Sequence, residues 1–167
     1  QLKNHHHYNQ ATLLQARDQI DASLLSQAFE LLVSHHDVLR CRYHQKSLGA
    51  WIQTNLSQEE LSSLWTDFDL SSVSDQDLAS HIEQQATLLH QSLDIEKGPL
   101  LKVALFNCGI RPSRLLIVIH HLAVDGVSWR ILLEDFEKVY QSLKEGKVPA
   151  LPKKTHAFQQ WGYSLLQ

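Results

Sequence analysis

Leu115-Leu116-Ile117-Val118-Ile119-His120-His121-Leu122-Ala123-Val124-Asp125-Gly126-Val127-Ser128-Trp129 is the stretch on which the reading of this chain turns. Its first five residues are large and apolar without a break. That is too short for a membrane span and too continuous for a half-exposed strand, so it predicts a strand buried on both faces. Two adjacent histidines end the run. Gly126 then opens a segment carrying Val127, Ile131, Leu132, Phe136, Val139, Tyr140 and Leu143 on one side. This spacing predicts a long helix that stops at Gly146, with Pro149 and Pro152 beyond it.

The rest of the chain is read outward from that junction. Residues 100–106 predict a second strand after the break at Gly98-Pro99, and residues 108–113, with Gly109 and Pro112, predict the turn between the two strands. Ser74 followed by Asp77 marks a helix start, continued by Leu78, Ile82, Ala86, Leu89 and Leu93. Residues 56–73 are rich in Ser and Asp and receive no element. Residues 39–43 and 50–55 predict a hairpin turning around Gly49. Asp21 caps a helix with Leu24, Ala28, Leu31, Leu32 and His35 on one face, ending near Val38. Residues 11–16 predict a short strand, and residues 155–166 a last amphipathic segment. The alternation of strands and helices predicts an α/β or α+β layered fold.

Composition sets the outer bounds. At 167 residues the chain is one domain or one lobe of a larger one. Its 43% hydrophobic and 20% charged residues are those of a globular protein. With 15 Lys and Arg against 18 Asp and Glu, it lacks the basic footprint that nucleic-acid binding requires. No apolar run reaches the roughly 20 residues of a membrane span. Cys41 and Cys108 have no C-x-x-C spacing, so neither a disulfide framework nor a zinc ribbon is indicated. A soluble, reducing, cytoplasmic setting is expected. The chain has no Met, and we expect it to be part of a longer polypeptide.

The paired histidines carry the chemistry. Neighbours on a strand point to opposite faces, so only one of His120 and His121 can face a cavity, and the other packs into the scaffold. A histidine at a strand end can move a proton near neutral pH. Asp125 is placed to fix the loop by pairing with an arginine, for which Arg40 and Arg42 are the candidates. Two histidines and a carboxylate also suit a metal triad, with His121 and Asp125 on one face of a helix. The apolar run argues instead that His121 belongs to a strand end, so no metal is expected. Ser128 has no nucleophile elbow around it. Glu134 and Glu137 read as solvated helix charges, His5 and His6 as exposed polar residues, and Trp51 and Trp65 as packing. Trp129 and Trp161 read as core or lobe-interface residues.

The segment His120-His121-x-x-x-Asp125-Gly126 resembles the signature of the condensation-domain superfamily of nonribosomal peptide synthetases. His36-Asp37-x-Leu39-Arg40 resembles that family's second motif. His7-Tyr8-Asn9-Gln10 and Lys154-Thr155-x-x-Phe158-x-x-Trp161 resemble segments of its epimerization branch. Peptide-bond-forming members usually read Arg-His-Glu and Asp-Gly-Trp-Ser, where this chain has His35-His36-Asp37 and Asp125-Gly126-Val127-Ser128-Trp129-Arg130-Ile131-Leu132. Both departures resemble an epimerization domain.

The resemblance implies one lobe of a two-lobe, chloramphenicol-acetyltransferase-like fold, with a mixed sheet packed by helices. Residues 1–167 would be the N-terminal lobe. It implies that His121 is the catalytic acid/base, that His120 is a scaffold residue, and that Asp125 and Gly126 are structural parts of the loop. The substrate would be an aminoacyl or peptidyl thioester on the phosphopantetheine arm of a carrier protein, with no cofactor bound by this lobe. The remaining partners would be the missing C-terminal lobe, which supplies a glutamate as second acid/base, and adjacent adenylation and condensation domains. Without that lobe the chain is expected to be inactive and to expose an apolar face prone to self-association. A condensation domain and a non-catalytic carrier-docking member are the alternatives. From the helix start alone, Val127, Ser128 and Trp129 are candidate oxyanion or substrate contacts.

Overall fold

A computed structural model describes residues 5–46, 49–56 and 64–152. The segment expected at 155–166, and with it the Lys154 to Trp161 motif, lies outside the described residues. The elements in chain order are β1 (Asn9–Gln15), α1 (Ala22–His35), β2 (Cys41–Gln45), β3 (Trp51–Asn55), β4 (Trp65–Asp69), α2 (Asp75–Gln91), β5 (Leu101–Asn107), β6 (Arg114–His120) and α3 (Gly126–Lys144). Short 3-10 turns at His5–His7 and Asp37–Arg40 precede β1 and β2. Four strands form one sheet in the order β1-β6-β5-β4, and β2 and β3 form a separate hairpin. β6 is antiparallel to both of its neighbours, whereas β4 and β5 are parallel. The sheet is therefore mixed and flanked by helices, the layered α/β architecture expected from the sequence.

β6 is buried on both faces, and its alternation sorts the core into two layers. Leu115, Ile117 and Ile119 pack with Leu25, Phe29 and Leu32 of α1 and with Leu132, Phe136 and Val139 of α3. Leu116 and Val118 pack on the opposite face with Ile82 and Leu89 of α2. Each such side chain contributes about 1.5–3 kcal/mol relative to exposure. The strand extends one residue beyond the apolar run at its end, so His120 is part of it and sits opposite Asn9 of β1.

Two helix faces differ from the sequence expectation. The buried stripe of α1 is Leu25, Ala28, Phe29, Leu32 and Val33, rotated from the predicted face so that Leu31 is exposed. Phe29 sets this rotation, because its ring stacks on Phe136 of α3 at a centroid distance of 4.5 Å. α1 ends at His35, and His36, its C-cap, reaches Asp135 of α3, with Nε2 2.9 Å from Oδ2. On α3, Val127 and Ile131 are exposed rather than packed. The acidic residue that α3 buries is Asp135, while Glu134 and Glu137 are exposed as expected.

β4 lies in the stretch that received no element. It is an edge strand with Asp67 and Asp69 exposed, so its own pattern is weak, and its ladder is supplied by β5. The predicted hairpin is present, with Gly49 at φ +82° in its turn. The loop between α2 and β5 holds it in place. The Tyr43 amide donates to the Ile95 carbonyl at 2.8 Å, and the buried Arg42 guanidinium donates through Nε to the Lys97 carbonyl at 2.9 Å. Gly98 adopts φ +79°, and a Cβ there would lie 1.9 Å from Arg42 Cζ, so any other residue must hold a left-handed φ and displace that guanidinium.

Candidate active site

The loop after β6 fixes both histidines. His120 is almost wholly buried, and its Nδ1 accepts from the Leu122 amide at 3.1 Å. Its ring proton is therefore on Nε2, and the ring is packed into the fold. His121 is exposed, its amide donates to the Tyr8 carbonyl at 2.7 Å, and its Nδ1 stands 2.7 Å from the Val124 carbonyl oxygen. A carbonyl only accepts, so Nδ1 carries a proton, and in the neutral ring the lone pair lies on Nε2. Among the described residues no three His, Cys, Asp or Glu side chains are grouped to hold a metal ion.

Asp125 holds the loop by a different contact from the one expected. It is the N-cap of α3, and its Oδ1 accepts from both the amide and the hydroxyl of Ser128, each at 2.7 Å. These two bonds, with a smaller contribution from the Val127 amide, hold its carboxyl below the usual aspartate range. Neither candidate arginine pairs with it. Arg40 donates to the carbonyls of Val33 and Leu56, and Arg42 to those of Lys97 and Cys41. An arginine committed to backbone carbonyls inside the scaffold is not available to an exposed carboxylate.

The same cap corrects the expectation for the start of α3. Ser128 is committed to Asp125 through both its amide and its hydroxyl, and the Val127 amide also turns toward that carboxylate. The helix terminus therefore neutralises its own dipole charge and is not an open oxyanion donor. Trp129 packs against the core, and its Nε1 donates to Gln10 Oε1 at 2.6 Å, so it is a packing residue. Gly126 has no left-handed φ, and a Cβ there would meet no atom within 4 Å. The local backbone does not demand glycine at that position.

His121 opens into a cleft of about 710 Å³ lined by Tyr8, Tyr43, Trp51, Ile95, His120 and Leu122. Four parts of the chain build it: the residue before β1, the β2–β3 hairpin, the loop after α2, and the end of β6 with the loop that follows it. The sequence reading missed these walls. Trp51 was expected to be packing, yet it is 43% exposed and faces the histidine's cleft. Trp65 does pack, 6.0 Å from the Phe29 ring, with Nε1 donating to Asp67 Oδ2 at 2.8 Å. Burial, and after it the Cys41 thiol, pushes the Tyr43 hydroxyl up, so it remains a neutral phenol. Burial likewise raises the Cys41 thiol, which donates to Asn55 Oδ1 at 2.8 Å and accepts from Gln53 Nε2 at 3.1 Å. His6, expected as an exposed polar residue, accepts from the Ile95 amide at 3.1 Å and so ties the first turn to a cleft wall.

The structure thus sets an imidazole at the end of a central strand of a layered α/β fold, facing an apolar cleft. The chain belongs to the condensation-domain family of nonribosomal peptide synthetases, whose profile, described as the condensation domain, matches residues 1–166. A linear gramicidin synthase of Brevibacillus parabrevis is 45% identical over 161 residues, covering 96% of this chain and 3% of its own length. A surfactin synthase of Bacillus subtilis (strain 168) is 40% identical over 164 residues, covering 97% of this chain and 4% of its own.

Among solved structures, the epimerization domain from the third module of tyrocidine synthetase B superposes with a TM-score of 0.88 at 40% identity, covering 96% of this chain and 36% of that one. The starter condensation domain of rhizomide synthetase has a TM-score of 0.80 at 21% identity, covering 96% and 39%, a likeness that shows the fold. The fold is the chloramphenicol-acetyltransferase-like one expected. The chain spans a few per cent of the curated relatives and little more than a third of the solved domains. No described helix is long and apolar enough to cross a membrane.

Proposed function

We propose that the chain is the N-terminal lobe of an epimerization domain that converts an L-aminoacyl or L-peptidyl thioester on a carrier protein into an L/D mixture. The observation that carries this reading is the tautomer of His121. With Nδ1–H held by Val124, the Nε2 lone pair is presented at an uncharged cleft, as a general base requires. Nε2 takes the α-proton, and the electrons of the C–H bond delocalise onto the thioester carbonyl as an enolate. The imidazolium so formed keeps its bond to Val124. His120 and Asp125 hold the loop and do not touch the substrate.

A second acid must return a proton to the opposite face. Burial raises the Tyr43 hydroxyl and makes it a weak proton donor, and Glu134 and Glu137 lie on an exposed face of α3 beyond the loop. The family resemblance assigns that step to a glutamate of a second lobe, so the chain alone is inactive. The chemistry requires neither a metal nor a bound cofactor. The carrier protein with its phosphopantetheine arm, the second lobe, and the neighbouring adenylation and condensation domains are the partners. The 40% identity to an epimerization domain supports this branch, as do the motif departures at His35 to Asp37 and Val127 to Leu132.

The test uses the synthetase region that carries this chain together with its second lobe. Its carrier is loaded with an L-acyl thioester in deuterated water, and α-deuterium and chirality of the released acid are followed. Histidine-dependent exchange with a mixed L/D product is expected, abolished by His121→Ala. No exchange, with a peptide bond formed once a second loaded carrier is supplied, would make it a condensation domain. Carrier binding with neither reaction would make it a docking member.

A further inference from the structure

We propose that the wall formed by Trp51 and Tyr43 receives the side chain of the residue being processed and selects a bulky apolar or aromatic one. The inference rests on the reading of His121 as the group that moves the α-proton. That side chain is bonded to the same carbon as the proton, so it must lie within a few ångströms of His121 during transfer. On this lobe the surfaces at that distance are those of the cleft.

The walls are apolar and uncharged. Beside the two histidines, the cleft is lined by Tyr8, Tyr43, Trp51, Ile95 and Leu122. Tyr8, Trp51 and Leu122 are 44%, 43% and 46% exposed, so a contiguous apolar surface faces the histidine. A charged side chain there would lose its water without gaining a partner. The other described tryptophans, Trp65 and Trp129, hold their rings against the core. The Trp51 ring is instead displayed on the cleft.

The wall is also rigid. Tyr43 stands opposite Gln53 and Trp51 opposite Gln45 in the hairpin ladder, so the two rings are diagonal neighbours on one face. On the same face, further from the hairpin turn, the Cys41 thiol bonds Gln53 and Asn55, and the Tyr43 amide is tied to Ile95. A wall anchored at its Tyr43 end discriminates by shape as well as by polarity.

The test uses the two-lobe synthetase region, with its carrier loaded in turn with phenylalanyl, leucyl, alanyl, glutamyl and lysyl thioesters, and reads α-deuterium exchange. Phenylalanyl and leucyl groups should exchange at least about 10-fold faster, as kcat/KM, than glutamyl or lysyl. Trp51→Ala should lower the phenylalanyl-to-alanyl ratio by about 10-fold, and Trp51→Phe should keep most of it. Trp51→Glu should raise lysyl relative to phenylalanyl, a gain that misfolding cannot imitate. Ratios unchanged in all three variants would overturn the inference, and an equal loss on every thioester would assign the wall to the shared phosphopantetheine arm instead. Failure of every thioester to exchange in the unaltered protein would overturn the epimerase reading and this inference with it. Exchange without preference would overturn this inference alone.

Discussion

Nδ1 of His121 lies 2.7 Å from the carbonyl oxygen of Val124, three residues further along the same loop. One residue earlier, Nδ1 of His120 accepts from the Leu122 amide. Two adjacent imidazoles are thus held in opposite tautomers by a single short turn. The exposed one presents a lone pair at Nε2, and the buried one serves the backbone.

Substitutions at the two histidines should therefore separate cleanly. His121→Ala should lower α-proton exchange by about 10²–10⁴ while leaving thermal unfolding nearly unchanged, because the ring is exposed. His120→Ala removes a buried ring and orphans the Leu122 amide, which should destabilise the domain by about 1–3 kcal/mol. Urea unfolding and the exchange assay, run on both variants, check the pair.

Asp125 should act through the start of α3. Its carboxyl is held low by the hydroxyl and then the amide of Ser128, so the folded state prefers the charged form. The stabilisation is present above the unfolded aspartate value of about 3.9 and is lost as the pH falls through the lower folded value. Asp125→Ala should melt earlier than the parent at pH 7, and the difference should close in the acid range below about pH 4. Asp125→Ser, which also caps, should recover much of the loss. Melting curves from pH 2 to 7 decide it.

The His36–Asp135 contact should be cooperative. Asp135→Ala leaves the part-buried His36 Nε2 without its partner and should cost about 1–3 kcal/mol. His36→Ala should cost a similar amount, and the double variant should lose less than the sum by at least about 0.5 kcal/mol. Strict additivity in a double-mutant cycle would show that the two residues act separately.

Gly98 and Arg42 make a steric pair. An alanine at position 98 must hold a left-handed φ and displace the Arg42 guanidinium, which together should cost about 2–4 kcal/mol. Adding Arg42→Ala removes the clash and not the φ strain, so the Gly98→Ala penalty should shrink in that background. Equal penalties in both backgrounds, by urea unfolding, would rule out the contact.

Much of this protein is local and could be read along the chain. The run Leu115 to Ile119 announced a strand buried on both faces, since no alternation was available to expose one. Asp21 and Ser74 announced helix starts, because a cap acts within three residues of itself. The alternation of a strand put one of His120 and His121 in the packed interior and the other at a cavity, and the structure has His120 buried and His121 exposed at the cleft. β4 escaped because an edge strand takes its pairing from elsewhere, here from β5, with Trp65 opposite Val103. The α1 face was misjudged because the stacking of Phe29 on Phe136, a residue of the distant helix α3, set its rotation.

The partner of Asp125 and the walls of the cleft were decided in three dimensions. Local spacing states that a carboxylate precedes a helix, but folding determines whether an arginine stands near it, and both candidates had already been committed to backbone carbonyls. Tyr8, Tyr43, Trp51 and Leu122 are far apart in the chain and each is an ordinary apolar residue there. They become a site because hydrogen bonds to Ile95 and Lys97 dock the hairpin beside the loop of His121. Periodicity reports which residues leave water, whereas the choice of what faces them is made by packing between distant segments.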